Sequence, residues 1–353
     1  MKDGAAPFAT TLSSWMSGHG PSSDVVISTR IRLARNLRGF LFPPVADRET
    51  EEAVVASVGE AMSSTGPAAM DYSLYPLREI EQIDQWVLVE KHLVSPHLVE
   101  KDGCTGIILD EDEVISVMIN EEDHLRIQCL LPGLELTSAL ERADRMDDLL
   151  ASKLPYALHK RYGYLTACPS NLGTGMRGSV MVHLPGLVLT GQMESLMSGL
   201  NKVGAVVRGV YGEGSDAQGN LFQISNRASL GSSESEIVDN LYALARELIG
   251  RERSAREALL SGDRYEIEDR VYRSYGLLTH ARKMDSSEAI GLLSMVRLGS
   301  DLNILSTRVG DAFPELMVRM RRASLQRVLG ERLDAGDRDV ERASFIRKRL
   351  QAH

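Results

Sequence analysis

The spacing of apolar residues along the chain changes near residue 230. Before this point, short runs rich in valine, isoleucine and leucine alternate with polar turns, which is typical of strands. Beyond it, apolar residues recur every three to four positions with few β-branched residues. This pattern predicts helices over 236–260, 287–298 and 314–329. We therefore expect an α+β fold, divided into a loose N-terminal arm, a sheet-containing domain and an all-α domain, with boundaries at 1–23, 24–255 and 256–353.

Helices are also predicted between the strands of the first domain. Residues 48–62 carry an apolar stripe at helical spacing, and residues 190–200 are a second candidate. A third helix is predicted to begin at Ser138, because Ser138 and Glu141 match the spacing of a capping box.

The first predicted strand presents two arginines on its polar face. Ser28, Arg30 and Arg32 alternate with Thr29 and Ile31. Neighbouring guanidinium groups repel each other unless an anion lies between them, so this strand is a candidate polyanion site. An exposed basic edge strand that resists aggregation is the alternative.

An acidic segment, Asn120–Arg126, separates two further predicted strands. If Glu121, Glu122 and Asp123 are buried at the end of a strand pair, they need a cationic partner. Alternation along an extended chain would point Glu121 and Glu122 to opposite faces, so we expect only one of them to touch a substrate. A solvated hairpin tip is the alternative for this segment.

Two glycine-rich segments are candidate binding loops. Residues 166–179 can bring backbone N–H groups close to an anion, although neither a Walker A nor a dinucleotide motif is present. Ser170 could hold a thiolate of Cys168, whereas a buried, inert cysteine is the alternative. Residues 210–220 have the length and flexibility of an active-site lid, with Glu213 inside it and Arg208 at its base.

The bulk composition excludes several classes of protein. The chain has 353 residues, a formal net charge of −9 and three cysteines. The negative charge argues against non-specific nucleic-acid binding, and the cysteine spacing fits neither a disulfide framework nor a zinc site. The sequence shows no signal peptide and no apolar run long enough to cross a membrane, so we expect a cytoplasmic protein without membrane or nucleic-acid partners.

Arginines and carboxylates together point to phosphoryl transfer. Five arginines lie at predicted strand ends or loop bases: Arg30, Arg32, Arg126, Arg177 and Arg208. Five fixed guanidinium groups suit a triphosphate with its magnesium ion. The carboxylates then need a cationic substrate, and a guanidinium is the planar cation that two carboxylates can clamp.

Four segments, in this order, resemble the catalytic domain of guanidino (phosphagen) kinases such as creatine kinase and arginine kinase. They are Ser28–Arg32, Asn120–Arg126, Cys168–Arg177 and the Arg208–Glu213 loop that ends in Ile224–Asn226, and the match covers roughly residues 24–250. The resemblance implies an antiparallel-sheet catalytic domain flanked by helices.

Three differences from the phosphagen kinases indicate which branch of the family this sequence resembles. Those enzymes have a helical domain before this module, whereas here the module begins near Asp24, and a helical extension follows it. An adenine-side histidine of the family is Met181 here. This combination resembles the bacterial protein-arginine kinases, whose substrate is arginine in a protein. Arg338–Ala343 resembles their RDxxRA motif, which implies a regulatory phosphoarginine pocket formed by Arg338, Asp339, Arg342 and Ala343.

The resemblance also implies roles for individual residues. Glu122 orients the substrate guanidinium and acts as general base, Glu213 is a second carboxylate, Cys168 assists, and Glu121 is adjacent. ATP and Mg²⁺ are the implied cofactors, with magnesium held mainly by ATP oxygens and water. The implied nucleotide site comprises Ser28, Thr29, Arg30, Ile31, Arg32, His92, Arg126, Arg177, Gly178, Ser179, Val180, Met181, Arg208, Gly209, Val210, Tyr211 and Gly212.

The family context implies partners and leaves two alternatives. It implies protein substrates that are marked for Clp-protease quality control and stress regulation, a McsA-like activator, the ClpC/ClpP protease and the CtsR repressor. From the apolar stripes of the C-terminal helices we expect a homodimer, and internal packing of the same stripes is the alternative. One alternative is a phosphoarginine-binding adaptor with a vestigial kinase fold. The other is a kinase for a small guanidino compound, against which the missing front domain counts.

Overall fold

A large antiparallel sheet forms the centre of the molecule. The computed structural model describes residues 7–65, 71–210, 217–306 and 309–351. The strands in these residues are β1 (Val26–Arg35), β2 (Tyr72–Pro76), β3 (Gly106–Asp110), β4 (Ile115–Ile119), β5 (Leu125–Pro132), β6 (Leu158–His159), β7 (Gly163–Tyr164), β8 (Met176–His183), β9 (Ala205–Gly209) and β10 (Leu221–Asn226). Eight of them pair in the order β2-β3-β4-β5-β1-β8-β10-β9, and a two-stranded hairpin, β6–β7, lies outside the sheet.

Helices surround the sheet and make up the C-terminal part. They are α1 (Arg48–Ser64), α2 (Gln82–Glu90), α3 (Pro96–Glu100), α4 (Leu136–Ala151), α5 (Pro185–Leu189), α6 (Met193–Lys202), α7 (Glu234–Ser261), α8 (Arg264–His280), α9 (Ser286–Asp301), α10 (Phe313–Arg319), α11 (Arg322–Leu329) and α12 (Ala335–Gln351). Within the described residues, no helix is long and apolar enough to cross a membrane. The expected α+β fold, with an antiparallel sheet flanked by helices and a helical C-terminal region, is confirmed.

The two faces of the sheet differ because side chains alternate along each strand. One face carries Ile31, Leu33, Ile127, Val180 and Ile224, which join the main apolar core under α1, α4 and α7. The other face carries polar and cationic residues at its centre. β1 runs between β5 and β8 in the middle of the sheet, so the alternative of an exposed basic edge strand is wrong.

Several predicted element boundaries differ from the structure. α4 begins at Leu136, and Ser138 donates a hydrogen bond to Glu135 instead of capping the helix. The genuine capping box is at Ser233 and Glu236, at the start of α7. The predicted helix 314–329 is two helices, because Arg321 between them has an extended backbone (φ −72°, ψ 164°).

The described part of the N-terminal arm is not loose. Trp15 is fully buried and donates its indole N–H to the carbonyl of Lys91. The buried ammonium of Lys91 lies 2.6 Å from the Glu113 carboxylate and also donates to the carbonyl of Phe8. A buried lysine needs such a partner, and this one fastens the arm to the sheet. α7 runs through residue 255 without a break, and the domain boundary there stays a prediction.

Candidate active site

Strand register places four arginines on the polar face of the sheet. Arg32 on β1 lies opposite Arg177 on β8, Arg30 lies opposite Ser179, and Ala34 lies opposite Arg126 on β5. Residues directly opposite each other in an antiparallel pair share a face. The side chains of Arg30, Arg32, Arg126 and Arg177 therefore converge on one surface, here called the arginine wall.

The arginine wall lacks counter-charges for much of its length. Arg30 donates to Gln223 at 3.1 Å and Arg177 donates to Ser225 at 3.0 Å, both of which are neutral partners. The Nε atoms of Arg32 and Arg177 are buried without a hydrogen-bond partner. Burial and then the neighbouring guanidinium groups of Arg177 and Arg126 lower the pKa of Arg30 to about 10. Like charges held together in this way favour a bound polyanion, which would supply the missing acceptors.

Two of the three carboxylates of the acidic segment contact one arginine. Arg126 lies 2.5 Å from a carboxylate oxygen of Glu121 and 2.7 Å from one of Glu122. The expectation that Glu121 and Glu122 point to opposite faces is therefore wrong, because these residues lie in the β4–β5 loop and not in an extended strand. Glu121 is buried and accepts a hydrogen bond from Ser95 at 2.5 Å, whereas the Glu122 side chain is 40% exposed.

The remaining polar residues of this loop hold it in place. Asn120 has a left-handed backbone (φ 59°), and its side chain donates to the carbonyls of Glu51 and Cys104. Asp123 accepts hydrogen bonds from Asn36 at 2.6 Å and from the backbone of Ala167 at 2.7 Å. These bonds leave Glu122 as the loop carboxylate that faces solvent, so the reading of the whole segment as a solvated hairpin tip is wrong.

His124 also belongs to the support of the loop and not to its chemistry. Its Nδ1 accepts a hydrogen bond from Leu37 N–H, so its Nε2 donates to the carbonyl of Leu41 at 3.0 Å. The ring is fully buried, and burial lowers its pKa. His124 is therefore neutral and occupied at both nitrogens.

Cys168 and Glu122 line one small cavity with three arginines of the wall. This cavity of about 150 Å³ is bordered by Glu122 and Cys168 together with Arg32, Ala34, Arg126, Ser170, Asn171, Gly175 and Arg177. The Cys168 sulfur is 3.0 Å from the Ser170 hydroxyl, as the Cys168–Ser170 spacing predicts. Gly175 (φ 68°) lets the loop approach β1, because a Cβ there would lie 2.6 Å from the carbonyl oxygen of Ala34.

A second cavity on the same face contains residues of the expected nucleotide site. His92, Ser28 and Met181 line it with Arg30, Leu130, Ser179 and Gln223. Burial and then Arg30 lower the pKa of His92 to about 3, so the ring is neutral. The side chains of Thr29, Ile31 and Val180 lie on the opposite face of the sheet, within the apolar core or beside it, and are not brought to this cavity.

Residues at the far edge of the sheet are only partly described. Arg208 is exposed on β9 and pairs in register with Gln223 of β10, on the side of the arginine wall. Gly178 lies on β8, where a Cβ would lie 2.6 Å from Leu241, while Gly209 and Val210 lead into the predicted lid. The expected site residues Tyr211, Gly212 and Glu213 lie outside the described residues.

The C-terminal motif borders a separate and larger cavity. Arg338 lines a cavity of about 620 Å³ together with Gln82, Ile83, Trp86, Glu90, Arg322, Ala323, Gln326, Arg332 and Leu333. Arg342 is buried outside the lining of this cavity and donates to the carbonyls of Met284 and Met320 and to Asp339 at 2.6 Å. Ala343 is buried in the helical core.

Sequence patterns do not reveal the residues that support the site. Asn36, Ser95 and Asp123 act through hydrogen bonds to residues 26 or more positions away. Trp86, Glu90 and Arg322 meet Arg338 only because α2, α11 and α12 pack together. The local signals, a polar residue after a strand or within a helix, are too common to identify such contacts.

Two family models match the chain. The catalytic-domain model described as ATP:guanido phosphotransferase matches residues 53–255, and the model described as the protein-arginine kinase McsB C-terminal domain matches residues 264–353. Relatives named protein-arginine kinase are similar over nearly the whole chain. The one from Geobacillus sp. (strain WCH70) is 48% identical, covering 98% of this chain and 95% of that protein. The one from Moorella thermoacetica is 48% identical, with 96% and 97% covered.

Solved structures show the same fold. A lombricine kinase matches with a TM-score of 0.60 and 28% identity, covering 72% of each chain. A duplicated taurocyamine kinase from Schistosoma mansoni, with transition-state analog components bound, matches with a TM-score of 0.61 and 24% identity. It covers 78% of this chain and 40% of that one.

Proposed function

The chain belongs to the protein-arginine kinase family of ATP:guanido phosphotransferases, and on this premise we propose how its site transfers phosphate to arginine in a protein. The observation that carries the proposal is the 150 Å³ cavity in which Glu122 and Cys168 face Arg32, Arg126 and Arg177. One side of this cavity suits a cationic guanidinium and the other suits an anionic phosphate.

The arginine wall would hold the phosphates of ATP. The buried Nε atoms of Arg32 and Arg177 have no acceptor, and charge-assisted bonds to phosphate oxygens would supply one. Arg30, Arg126 and Arg208 would complete the set. Mg²⁺ would be held mainly by phosphate oxygens and water, which are its usual ligands where it binds together with a substrate phosphate.

Glu122 would prepare the attacking nitrogen. A guanidinium has a pKa above about 12, so its nitrogen is not nucleophilic until a proton is removed. Arg126, which now contacts Glu122 at 2.7 Å, would shift toward phosphate and leave the carboxylate free for the substrate. Glu122 accepts the proton as the new N–P bond forms and the bond between the γ-phosphorus and the bridging oxygen breaks, releasing ADP. Cys168 would assist by contact with the guanidinium, and Glu213 would provide a second carboxylate.

Glu122→Gln tests this assignment. Loss of the base should lower kcat by about 10²- to 10⁴-fold while ATP binding is retained, measured as acid-labile phosphate on protein arginine by mass spectrometry. The matched control is Glu49→Gln, at an exposed position in the first turn of α1. Full activity of Glu122→Gln would remove the proposed role.

We also propose that the 620 Å³ cavity binds phosphoarginine. Arg322, Arg332 and Arg338 line it, and guanidinium forks suit a phosphate group. Arg342 and Asp339 would hold the cavity wall in place, because the donors of Arg342 are taken up by main-chain carbonyls and by Asp339. Bound phosphoarginine would regulate the kinase. One molecule would then both bind phosphoarginine, as in the adaptor alternative, and catalyse its formation.

The cellular role belongs to the same proposal. Phosphoarginine would mark proteins for ClpC/ClpP in the cytoplasm, with CtsR among the substrates and a McsA-like activator. The C-terminal helices would form a homodimer. The near-complete match to proteins named protein-arginine kinase supports this context over a kinase for a small guanidino compound.

A further inference from the structure

An exposed hairpin borders the loop that carries Cys168. β6 ends at His159, and the tip that joins it to β7 contains Lys160 and Arg161; all three residues are exposed. Two apolar side chains lie on either side of them along the chain: Leu158 of β6 is 57% exposed, and Tyr162 of the tip is 40% exposed. Clustered exposed apolar and cationic groups are typical of interaction surfaces.

The hairpin tip is held in one arrangement by its own side chains. The His159 ring stacks on the Tyr162 ring with centroids 4.9 Å apart and an interplanar angle of 24°. The Arg161 guanidinium lies 5.4 Å from the same ring, and the Arg161 N–H donates to His159 Nδ1 at 3.2 Å. A surface ordered before binding loses less entropy when a partner docks.

Hydrogen bonds connect the hairpin to the substrate end of the site. Tyr164 of β7 donates its N–H to the carbonyl of Gly173 at 2.8 Å. Gly173 lies between Asn171 and Gly175, which both line the cavity with Glu122 and Cys168. Lys160 is four residues from Tyr164, so its backbone lies within about 14 Å of this connection.

A second exposed segment is attached to the same loops. Arg38 is exposed and donates its N–H to the carbonyl of Pro155, just before the hairpin, at 2.7 Å. Leu41 is 56% exposed, and its carbonyl accepts the hydrogen bond from His124. Together the six exposed residues Arg38, Leu41, Leu158, Lys160, Arg161 and Tyr162 form what we call the rim.

In the part of the chain that the structure describes, the cations of the rim have no acidic partners. Among residues 7–65, 71–210, 217–306 and 309–351, no carboxylate lies within 4.0 Å of Arg38, Lys160 or Arg161. The whole chain has a net charge of −9, so the charge of this basic surface is opposite in sign to the net charge of the protein. An unpaired cationic and apolar surface is complementary to a segment that carries acidic and apolar residues.

We propose that the rim binds acidic and apolar residues next to the target arginine of a protein substrate. This inference rests on the protein-arginine kinase activity and adds a substrate preference to it. A protein substrate brings a main chain to the site, and an extended chain advances about 3.3 Å per residue. Residues two to four positions from the arginine therefore reach about 7–13 Å from it, far enough to leave the cavity and contact the surface beside the Cys168 loop. Glu122 takes the guanidinium while the rim takes the acidic neighbours.

Peptides with one central arginine test the preference. We expect kcat/KM to be about three- to tenfold higher with aspartate and leucine flanks than with lysine and leucine flanks, because each exposed ion pair contributes modestly. The ratio should shrink as salt rises. The double variant Lys160→Glu/Arg161→Glu should abolish or reverse the preference, with the KM for ATP unchanged.

The matched control is Arg282→Glu/Lys283→Glu. This is also an adjacent, exposed basic pair, so net charge changes equally, and the control should keep the preference. Circular dichroism melts check that both variants are folded. Equal rates for all flanks in the wild type, or a preference retained in Lys160→Glu/Arg161→Glu, would overturn the inference and leave the kinase activity intact. Absence of phosphoarginine on every peptide and protein would count against the activity itself.

Discussion

Arg32 and Arg35 are three positions apart on β1 and have opposite surroundings. Arg35 is buried and makes three hydrogen bonds of 2.6–3.1 Å to Asp147, with its guanidinium 3.6 Å from the Tyr164 ring centroid. Arg32 faces the arginine wall, where burial and the like charges of Arg30 and Arg126 hold its pKa well below the usual range. The Arg35 guanidinium is paired with a carboxylate, whereas the Arg32 guanidinium lies among like charges, where the proposed ATP phosphates would bind.

Arg32→Met should therefore separate stability from activity. Without ATP we expect a gain of about 1–2 kcal/mol in the free energy of unfolding, because an unpaired charge is replaced by an apolar side chain. Phosphoryl transfer should fall by more than about 10²-fold. Urea unfolding and phosphoarginine assays measure the two effects.

Arg35→Met is the matched control on the same strand. It leaves Asp147 without its partner and should cost about 3–5 kcal/mol. A similar loss of stability in Arg32→Met and Arg35→Met would contradict the assignment of opposite roles.

Helices α2 and α12 both contribute residues to the wall of the 620 Å³ cavity. Arg338 lies in the first turn of α12, and Arg342 lies one turn later but points into the helical core. Glu90, at the end of α2, accepts hydrogen bonds from the N–H groups of Ala323 and Ser324 at the start of α11. Because His92 follows Glu90 by two residues, α2 connects the cavity with the expected nucleotide site.

Arg338→Ala should weaken phosphoarginine binding without unfolding the protein. We expect at least a tenfold loss of affinity in calorimetry, since one charge-assisted pair is removed, with basal kinase activity retained. Arg282→Ala, at an exposed position, should bind normally. Arg342→Ala is less informative, because it removes buried hydrogen bonds and should destabilise the helical core. Unchanged binding by Arg338→Ala would rule out this cavity as the phosphoarginine site.

Three buried histidines make the stability of the whole molecule depend on pH. Burial lowers the pKa of His92 to about 3 and lowers the pKa of His124 and His183. Below pH 6.5 the unfolded chain therefore binds protons that the folded protein excludes, so stability falls as pH falls. Asp110 works in the opposite direction, because burial raises its pKa to about 6 and the folded state takes up its proton first.

His183→Gln should flatten this dependence. His183 is fully buried with Nε2 2.8 Å from the Ser294 hydroxyl, and its removal should reduce the slope by up to about 1.4 kcal/mol per pH unit between pH 6.5 and 5.5. Urea unfolding at several pH values measures the slope. His280→Gln, at an exposed position, should leave it unchanged, and an equal slope in His183→Gln would refute the explanation.

The chain sequence predicted the α+β class, the helical C-terminal part and the shared face of Ser28, Arg30 and Arg32. These features depend on local periodicity, because alternate residues of a strand always point to the same side. The family resemblance added the implied site residues. The predicted starts of helices were less accurate, and α4 is an example. The reason is that a helix is capped by whichever side chain reaches its free N–H groups in the folded protein.

Only the tertiary structure decided which residues meet across long separations. The sequence by itself determined that Glu121 and Glu122 are adjacent carboxylates. The packing of Ser95 and Arg126 against the loop decided that both contact one guanidinium and that Glu122 faces the cavity. In the same way, Arg35 pairs with Asp147 while Arg32 lies among other arginines, because the two residues are on opposite faces of β1. The physical reason is that the energy of a charge depends on the distances to other charges and dipoles in the folded protein. The spacing of residues along the chain does not specify those distances.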